Sequence, residues 1–376
     1  MKNDWPVKKL GEIVTLINGR AFKSSEWKNA GIPIIRIQNL NDNKGIFNYY
    51  QGKFDRKNYV QKEDLLFSWS GSLGTSFGAH LWQGPEGLLN QHIFRVITKD
   101  SVIDKSYLYF FLNKIVKDIE GKAHGGAGLV HITKSELEKM LILLPNLLTQ
   151  KNIVKKLNAI RKTQKLIDLQ IQKTEELFNS ISYIAFQTGS GNKLGKLFTR
   201  QMKTILPTTQ PDQDFNFIGL ESIESNKGVL TSVNKTKGAN IKSNKFLFRR
   251  DNILYGKLRP YLNKVWLADF DGICSTDIWV LRANEQLIRP VILAALLRSK
   301  FIVDKMSSLM TGTSLPRANA TSFDNLDIKI PALEEQQSIV EKLTEIQEYK
   351  KLLFKQKHIY RELFDSVLYK SMKGKI

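Results

Sequence analysis

Leu144-Pro145-Asn146-Leu147-Leu148-Thr149-Gln150 leads into a long run of sequence in which apolar residues recur every three or four positions. Ile330-Pro331-Ala332-Leu333-Glu334-Glu335-Gln336 leads into a second run of the same design, at a constant offset of 186 residues. Neither run contains proline or glycine after its lead-in, so nothing in the sequence breaks a helix. The two stretches predict two long helices of about 38 residues, or roughly 57 Å each.

The apolar positions of both runs alternate in steps of four and three residues, which is the heptad seam of a two-helix coiled coil. The predicted seam residues are Ile153, Leu157, Ile160, Ile167, Ile171, Phe178 and Ile181 in the first run, and Ile339, Leu343, Ile346, Leu353, Tyr360, Phe364 and Val367 in the second. Gln164 and Lys350 occupy equivalent seam positions, where polar residues fix the register at some cost in stability. The alternative is two ordinary amphipathic helices of a large core, but strict heptads repeated at one offset favour the coiled coil.

The sequence before each predicted helix repeats one order of patterns. A strand pattern at Asp64–Trp69 is matched at Asp251–Gly256, and the helix pattern Ser106–Ile119 is matched at Pro290–Lys305. A loop follows each helix, at 121–128 and at 311–315. The predicted fold is therefore α+β, with two tandem mixed α/β domains, two long helices in an antiparallel coiled coil, and an internal pseudo-twofold repeat. The predicted boundaries are 1–145 for the first domain, 146–188 for the first helix, 189–331 for the second domain and 332–376 for the second helix.

Composition points to a polyanionic partner. The 376 residues carry a net charge of +21, and the excess is largest in the segments predicted to be globular. Cys274 is the only cysteine, so a disulfide framework is impossible within one chain. The N-terminus lacks the apolar core of a signal peptide, and the longest apolar run, Val291–Leu297, is too short to span a bilayer. These features predict a cytoplasmic chain without a membrane partner.

The duplicated order and the two lead-ins together resemble the specificity subunit of type I restriction–modification enzymes. The resemblance covers essentially the whole length, and it rests on the Pro-Leu-rich stretches Leu144–Val154 and Ile330–Val340 that begin the two helices. It implies that each globular domain is a target-recognition domain for one half of an asymmetric, bipartite site in double-stranded DNA. It also implies that the helices are spacers and docking surfaces for two adenine-N6 methyltransferase subunits, with a restriction and translocation subunit joining where one is present.

The resemblance further implies that this chain binds no cofactor itself. S-adenosylmethionine would bind the methyltransferase partners, and ATP the restriction partner. The chain would then be a non-catalytic subunit of a DNA-methylating complex, and DNA would be its direct ligand.

Candidate DNA contacts follow from side-chain chemistry, because Arg and Lys neutralise phosphates, Arg forks onto guanine, and Asn or Gln pairs with adenine. The first domain offers Arg20, Lys23, Arg36, Gln38, Asn39, Lys44, Ser68, Ser70 and Ser72, and the second offers Lys235, Lys237, Lys242, Lys257, Arg259, Lys264 and Arg317. His131 and Arg317 stand at equivalent places after the two loops. For any one of these residues, a solvated surface role is the competing interpretation.

No catalytic or metal-binding set is found. The nearest approach to a phosphate-binding loop has Ser190 in place of its first glycine and Leu197 in place of Ser or Thr, and the five histidines lack metal-ligand spacing. No methyltransferase motif is found. Two alternatives stay open: a coiled-coil scaffold or interaction protein without sequence-selective DNA binding, and a metal-dependent nuclease that uses Asp327.

Overall fold

The computed structural model describes residues 5–72, 75–122, 129–187, 189–309 and 316–375, and within these the side chains of 72, 117–122, 129 and 130 are left undescribed. The chain divides into two compact units, the first formed by Met1–Lys165 with Ile359–Ile376 and the second by Leu166–His358. Both divisions fall inside the long helices, so each unit combines a globular part with a segment of each helix. The predicted domain boundaries follow the secondary structure instead and stay a prediction.

The described strands of the first unit are short. They are β1 (Val7–Lys9), β2 (Val14–Asn18), β3 (Ile32–Ile35), β4 (Asn48–Tyr50), β5 (Tyr59–Val60), β6 (Leu65–Ser68), β7 (Ser70–Ser72), β8 (Gly78–Leu81), β9 (Gly87–Leu89), β10 (Ile93–Thr98), β11 (Leu129–His131) and β12 (Leu141–Leu143). The described strands of the second unit are β13 (Ser190–Lys193), β14 (Phe198–Gln201), β15 (Thr204–Ile205), β16 (Asp214–Ile218), β17 (Asn234–Lys237), β18 (Lys245–Phe248), β19 (Ile253–Gly256), β20 (Val265–Leu267), β21 (Gly272–Cys274), β22 (Ile278–Ala283) and β23 (Asp327–Ile330).

The helices differ widely in length. They are α1 (Leu10–Ile13), α2 (Ile37–Asn41), α3 (Lys105–Lys122), α4 (Lys134–Lys139), α5 (Leu147–Ala185), α6 (Pro290–Arg298), α7 (Lys300–Ser308), α8 (Ala320–Asp324) and α9 (Leu333–Met372). Short 3-10 turns lie at Ser24–Glu26, Arg56–Asn58, Leu194–Leu197, Pro207–Thr209, Leu220–Ser222, Gly238–Asn240 and Pro260–Leu262. No helix in the described part of the chain is long and apolar enough to cross a bilayer.

The two units repeat one sheet topology, which confirms the predicted internal repeat. The order β2-β10-β6-β8 in the first unit corresponds to β14-β22-β19-β20 in the second. The order β4-β3-β9-β5 corresponds to β17-β16-β21-β18, which β15 extends by one strand. Each of these sheets contains one parallel pair, β3 with β9 and β16 with β21. The α+β class is confirmed as well.

The long helices run antiparallel within each unit. In the first, Gln164 Nε2 donates to the Tyr360 carbonyl at 3.0 Å. In the second, Lys357 pairs with Asp168 at 2.7 Å, while Phe178, further along α5, shares a core with Leu343, which lies earlier on α9. Partner numbers fall on α9 as they rise on α5, and every predicted seam residue is buried or half-buried. The long helices therefore have the packing of an antiparallel coiled coil.

One buried glutamine anchors the start of each long helix. Gln150 Oε1 accepts from the Asp104 N–H at 2.7 Å, and its Nε2 donates to the carbonyls of Val102 and Pro145 at 3.0 and 2.7 Å. Gln336, 186 residues later, makes the same three bonds, with Arg289 N–H at 2.8 Å and with the Leu287 and Pro331 carbonyls at 3.0 Å. Each amide thus satisfies three backbone groups where a helix leaves the globular part.

One local prediction needs correction. The helix predicted over Pro290–Lys305 is two helices, because Ser299 takes an extended conformation and its side chain accepts from Ile302 N–H, which makes it the N-cap of α7. The loops predicted at 121–128 and 311–315 fall largely on residues outside the described part, namely 123–128 and 311–315.

Candidate nucleic-acid interface

Three of the residues predicted to contact DNA in the first domain are buried and bonded within the fold. Asn39 accepts from Arg36 N–H at 3.1 Å and donates to the Ile46 carbonyl at 3.1 Å. Ser68 Oγ donates to the Ser70 carbonyl at 2.9 Å, and Ser70 is itself buried. These side chains hold turns together and are not presented to a ligand.

Two predicted arginines of the first domain are engaged by aromatic rings. Arg20 is ion-paired with Glu26, and its guanidinium lies 4.6 Å from the ring centroid of Tyr50. The Arg36 guanidinium lies 4.7 Å from the Trp27 ring, and its Nη1 donates to Asn48 at 2.9 Å. Both side chains keep some exposure and their charge, so they add to the field of this surface while their geometry is fixed by the protein.

Three of the remaining predicted residues in the first domain lie on the surface. Lys23, Gln38 and Lys44 are exposed. The backbone of Ser72 lies in β7, but its side chain is outside the described part of the structure. The predicted list for this domain therefore contains both fold-supporting and ligand-accessible side chains, and sequence alone did not separate them.

In the second domain, an edge strand carries exposed lysines. Lys235 and Lys237 project from β17, which is the last strand of its sheet, and Lys242 is exposed shortly after it. Lys264, in contrast, is half-buried and its Nζ donates to the carbonyls of Leu220 and Ile223 at 2.7 and 2.9 Å. The three exposed lysines can approach phosphates, whereas Lys264 supports a loop.

The other predicted basic residues of the second domain meet at one place. Leu258 forms a β-bridge with Arg317, and Arg259 N–H donates to the Pro316 carbonyl at 2.8 Å. Arg259 has φ of +51°, an uncommon left-handed value for a residue with a Cβ. Arg259 and Arg317 are exposed, and Lys257 stands beside them half-buried. The fold thus brings Arg317 beside Lys257 and Arg259, which lie far from it in sequence.

A further basic cleft was missed by sequence reasoning. A cavity of about 410 Å³ in the second domain is lined by four basic residues, Lys203, Arg249, Arg250 and Arg282, together with Asp251 and Glu285. The adjacent pair Arg249-Arg250 was the available signal. Lys203 and Arg282 come from distant parts of the sequence, so only the folded domain shows that they converge with this pair.

Asp327 and Cys274, two residues with reactive side-chain types, lie in environments that support the fold. Asp327 is exposed and pairs with Lys193 at 2.7 Å across the β13–β23 ladder. Cys274 is buried, and burial raises the pKa of its thiol to about 12, which keeps it protonated and unreactive. Within the described residues, no group of three or more His, Cys, Asp or Glu side chains is placed to hold a metal ion.

Comparison with known proteins identifies the architecture. The family model of the type I restriction modification DNA specificity domain matches residues 2–177 and 192–359. The chain is similar to the type I restriction enzyme MjaVIII specificity subunit of Methanocaldococcus jannaschii, with 22% identity over 99% of this chain and 93% of that protein. The EcoBI specificity subunit of Escherichia coli is 29% identical over 161 residues, which is 42% of this chain and 32% of that protein. Among solved structures, the S subunit of a type I restriction–modification system from M. genitalium matches with a TM-score of 0.60 at 16% identity, covering 99% of this chain and 97% of that one.

Proposed function

The chain belongs to the family of type I restriction–modification DNA specificity subunits, and from this membership we propose that it reads double-stranded DNA at an asymmetric, bipartite site. The observation that carries the proposal is one sheet topology built twice with different exposed side chains. Two copies of one scaffold can perform one mechanical task, while unlike surfaces recognise unlike half-sites. The proposed recognition is by base contacts in two places, with phosphate contacts setting the position.

The electrostatics support a duplex ligand. The net charge of +21 raises the local concentration of polyanions and speeds their encounter with the protein. Exposed lysines on the β17 edge and the four basic residues around the second-domain cleft supply positive charge where the backbone of a duplex can approach. Such contacts supply sequence-independent affinity, so selectivity must come from other side chains.

The outer face of the first long helix supports docking of protein partners. Leu166, Leu169, Leu177 and Ile184 fall on one side of α5 by helical spacing, and all four are at least half exposed. Their face is distinct from the buried seam at Ile167 and Ile171. An apolar stripe of this kind is typical of an interaction surface. In the proposed complex it would receive an adenine-N6 methyltransferase subunit, one of two, alongside a restriction and translocation subunit where present.

The chemistry in this proposal belongs to the partners. S-adenosylmethionine would be held by the methyltransferase subunits and ATP by the restriction subunit, while this chain, itself non-catalytic, supplies recognition and geometry. The proposed location is the cytoplasm, where the genome is accessible. A coiled-coil scaffold without sequence-selective DNA binding is the rival function, and it leaves the basic clusters of the globular domains without a role.

The test is to co-express the chain with its methyltransferase subunit, purify the complex, and map N6-methyladenine across the host genome. We expect one motif made of two short fixed sequences separated by a spacer of constant length, and no motif in cells that express the methyltransferase alone. Methylation without a fixed motif, or co-purification without any methylation, would support the scaffold function instead.

A further inference from the structure

The two domains share a backbone site at the end of two paired strands. In the first unit, Trp69 N–H donates to the His92 carbonyl at 3.1 Å, and Ile132 N–H donates to the Trp69 carbonyl at 3.0 Å. His131, just before Ile132, pairs with Ser70 across the β11–β7 ladder. Three separate segments of the chain therefore meet at Trp69, His92 and His131.

The second unit builds the same site from equivalent segments. Lys257 N–H donates to the Asp277 carbonyl at 3.0 Å, and Ala318 N–H donates to the Lys257 carbonyl at 2.7 Å. Arg317, just before Ala318, bridges to Leu258. Lys257, Asp277 and Arg317 thus take the places of Trp69, His92 and His131, respectively.

The side chains of the first site form a cluster of three rings in tilted and edge-to-face contact. The Trp69 ring centroid lies 4.7 Å from that of His92 and 4.7 Å from that of His131. His131 is exposed, whereas Trp69 and His92 are half-buried. Trp69 Nε1 and His92 Nδ1 are buried without a hydrogen-bond partner in the described part of the chain, and His92 has φ of +74°. Unsatisfied polar atoms and left-handed backbone at a residue with a Cβ are costly and concentrate at functional sites.

The side chains of the second site form an ion pair at the surface. Arg317 Nη2 lies 3.4 Å from Asp277 Oδ1, and the Arg317 side chain is 57% exposed. The carboxylate restrains the guanidinium without covering it. A guanidinium held in this way presents the fork of donors that matches O6 and N7 of guanine.

The residues behind the two sites are alike, whereas those in front differ. Ile93 and Ile278, which follow His92 and Asp277, are both fully buried, and Ile132 and Ala318 are both buried apolar residues. The outward positions hold two imidazoles and an indole in one domain, and two cations and a carboxylate in the other. The two domains thus share one backbone arrangement but carry different side chains at its outward positions. This is the arrangement expected where two domains must distinguish different ligands.

Resting on the proposed function, we propose that His131 and Arg317 are equivalent specificity-determining residues, each reading a base pair in its own half-site. Trp69 and His92 position His131, and Asp277 positions Arg317. Arg317 reads guanine through its two-pronged donor set. His131 presents an imidazole, whose nitrogens can donate to or accept from a base edge, and it therefore selects a different pattern.

The experiment compares methylation motifs of the intact methyltransferase complex carrying R317A, D277N or H131A. R317A is expected to lower selectivity about 10- to 100-fold at one base pair of one half-site, while the other half-site stays unchanged. D277N is expected to relax the same base pair, with no further loss in the double variant. H131A is expected to relax one position of the other half-site. Arg289→Ala removes another exposed arginine of the second unit and should leave both halves intact.

The outcomes separate the two proposals. A wild-type complex without a bipartite motif would refute the proposed function. A normal wild-type motif that R317A and H131A leave unchanged, or that both variants relax in the same half-site, would overturn the assignment of these residues alone. Should R317A lower the melting temperature of the complex, R317K keeps the charge without the fork and is expected to relax the same base pair.

Discussion

At the scale of single residues, the second unit buries two cations against one carboxylate. Glu175 accepts from Arg298 Nη2 at 2.8 Å and from Lys350 Nζ at 2.5 Å, and both cations lie over the Phe178 ring. Gly228 leaves room for the Arg298 guanidinium, because a Cβ at this position would lie 2.6 Å from it. The φ of Gly228 is +66°, which also favours glycine. Lys350 is the polar residue that the heptad pattern places in the α9 seam. Its ammonium is held by Glu175 and the Phe178 ring.

Removing the carboxylate and removing the surplus cation should have opposite consequences. Glu175→Gln leaves two buried cations without a counterion, and we expect the free energy of unfolding to fall by about 3–5 kcal/mol. Lys350→Met keeps the Glu175–Arg298 pair and removes the desolvated ammonium, so stability at pH 7 should be equal or higher. Denaturant unfolding of the full chain measures both. Equal destabilisation by the two substitutions would contradict this account.

The pH dependence of stability provides the control. Burial lowers the pKa of Lys350 to about 8 from its ordinary 10.5, with Arg298 and Lys227 adding to the effect and Glu175 opposing it. Below about pH 8, Lys350 is protonated in both states and its penalty is constant. Between about 8 and 10.5 the unfolded state binds more protons, so the penalty shrinks as pH rises, by at most about 1.4 kcal/mol per pH unit. Lys350→Met should lack this rise.

At the scale of elements, the start of each long helix is fixed by the same glutamine. Gln150 and Gln336 are fully buried, and each closes three hydrogen bonds to backbone groups of its own unit. A helix packed only through an apolar seam could slide or rotate, because apolar contacts are not directional. The hydrogen bonds of the glutamine amide are directional, so they fix the position and rotation of the first helical turn.

Replacing Gln336 should destabilise the second unit. Gln336→Leu leaves one N–H and two carbonyls without their partner, and we expect a loss of about 1–3 kcal/mol for each group that stays buried. Gln337→Leu is the matched control, because its exposed side chain bonds only to Glu341 among its described contacts, and its effect should stay within about 0.5 kcal/mol. Hydrogen exchange along α9 would report both, and unchanged protection at its first turns in Gln336→Leu would refute the anchoring role.

At the scale of the whole molecule, the charge of +21 predicts a strong dependence of DNA affinity on salt. If the chain neutralises about 6–10 phosphates, its affinity for duplex DNA should fall about 10³- to 10⁵-fold between 50 and 200 mM salt. Titrations of one duplex at several salt concentrations measure the slope of log K against log salt. Lys235→Ala should reduce that slope by about one without changing sequence preference. A flat salt dependence would exclude phosphate binding as the source of affinity.

The sequence by itself determined the two long helices, their seam and the duplication, because heptad spacing and a constant offset are patterns written along the chain. Only the tertiary structure decided which polar residues are exposed: Asn39 and Ser68 proved to be buried, and the sites around His131 and Arg317 arose from three segments each. The physical reason is that the burial of a polar side chain depends on strands that pair across long sequence separations. Periodicity predicts which face of an element is apolar, but not what is packed against its polar side.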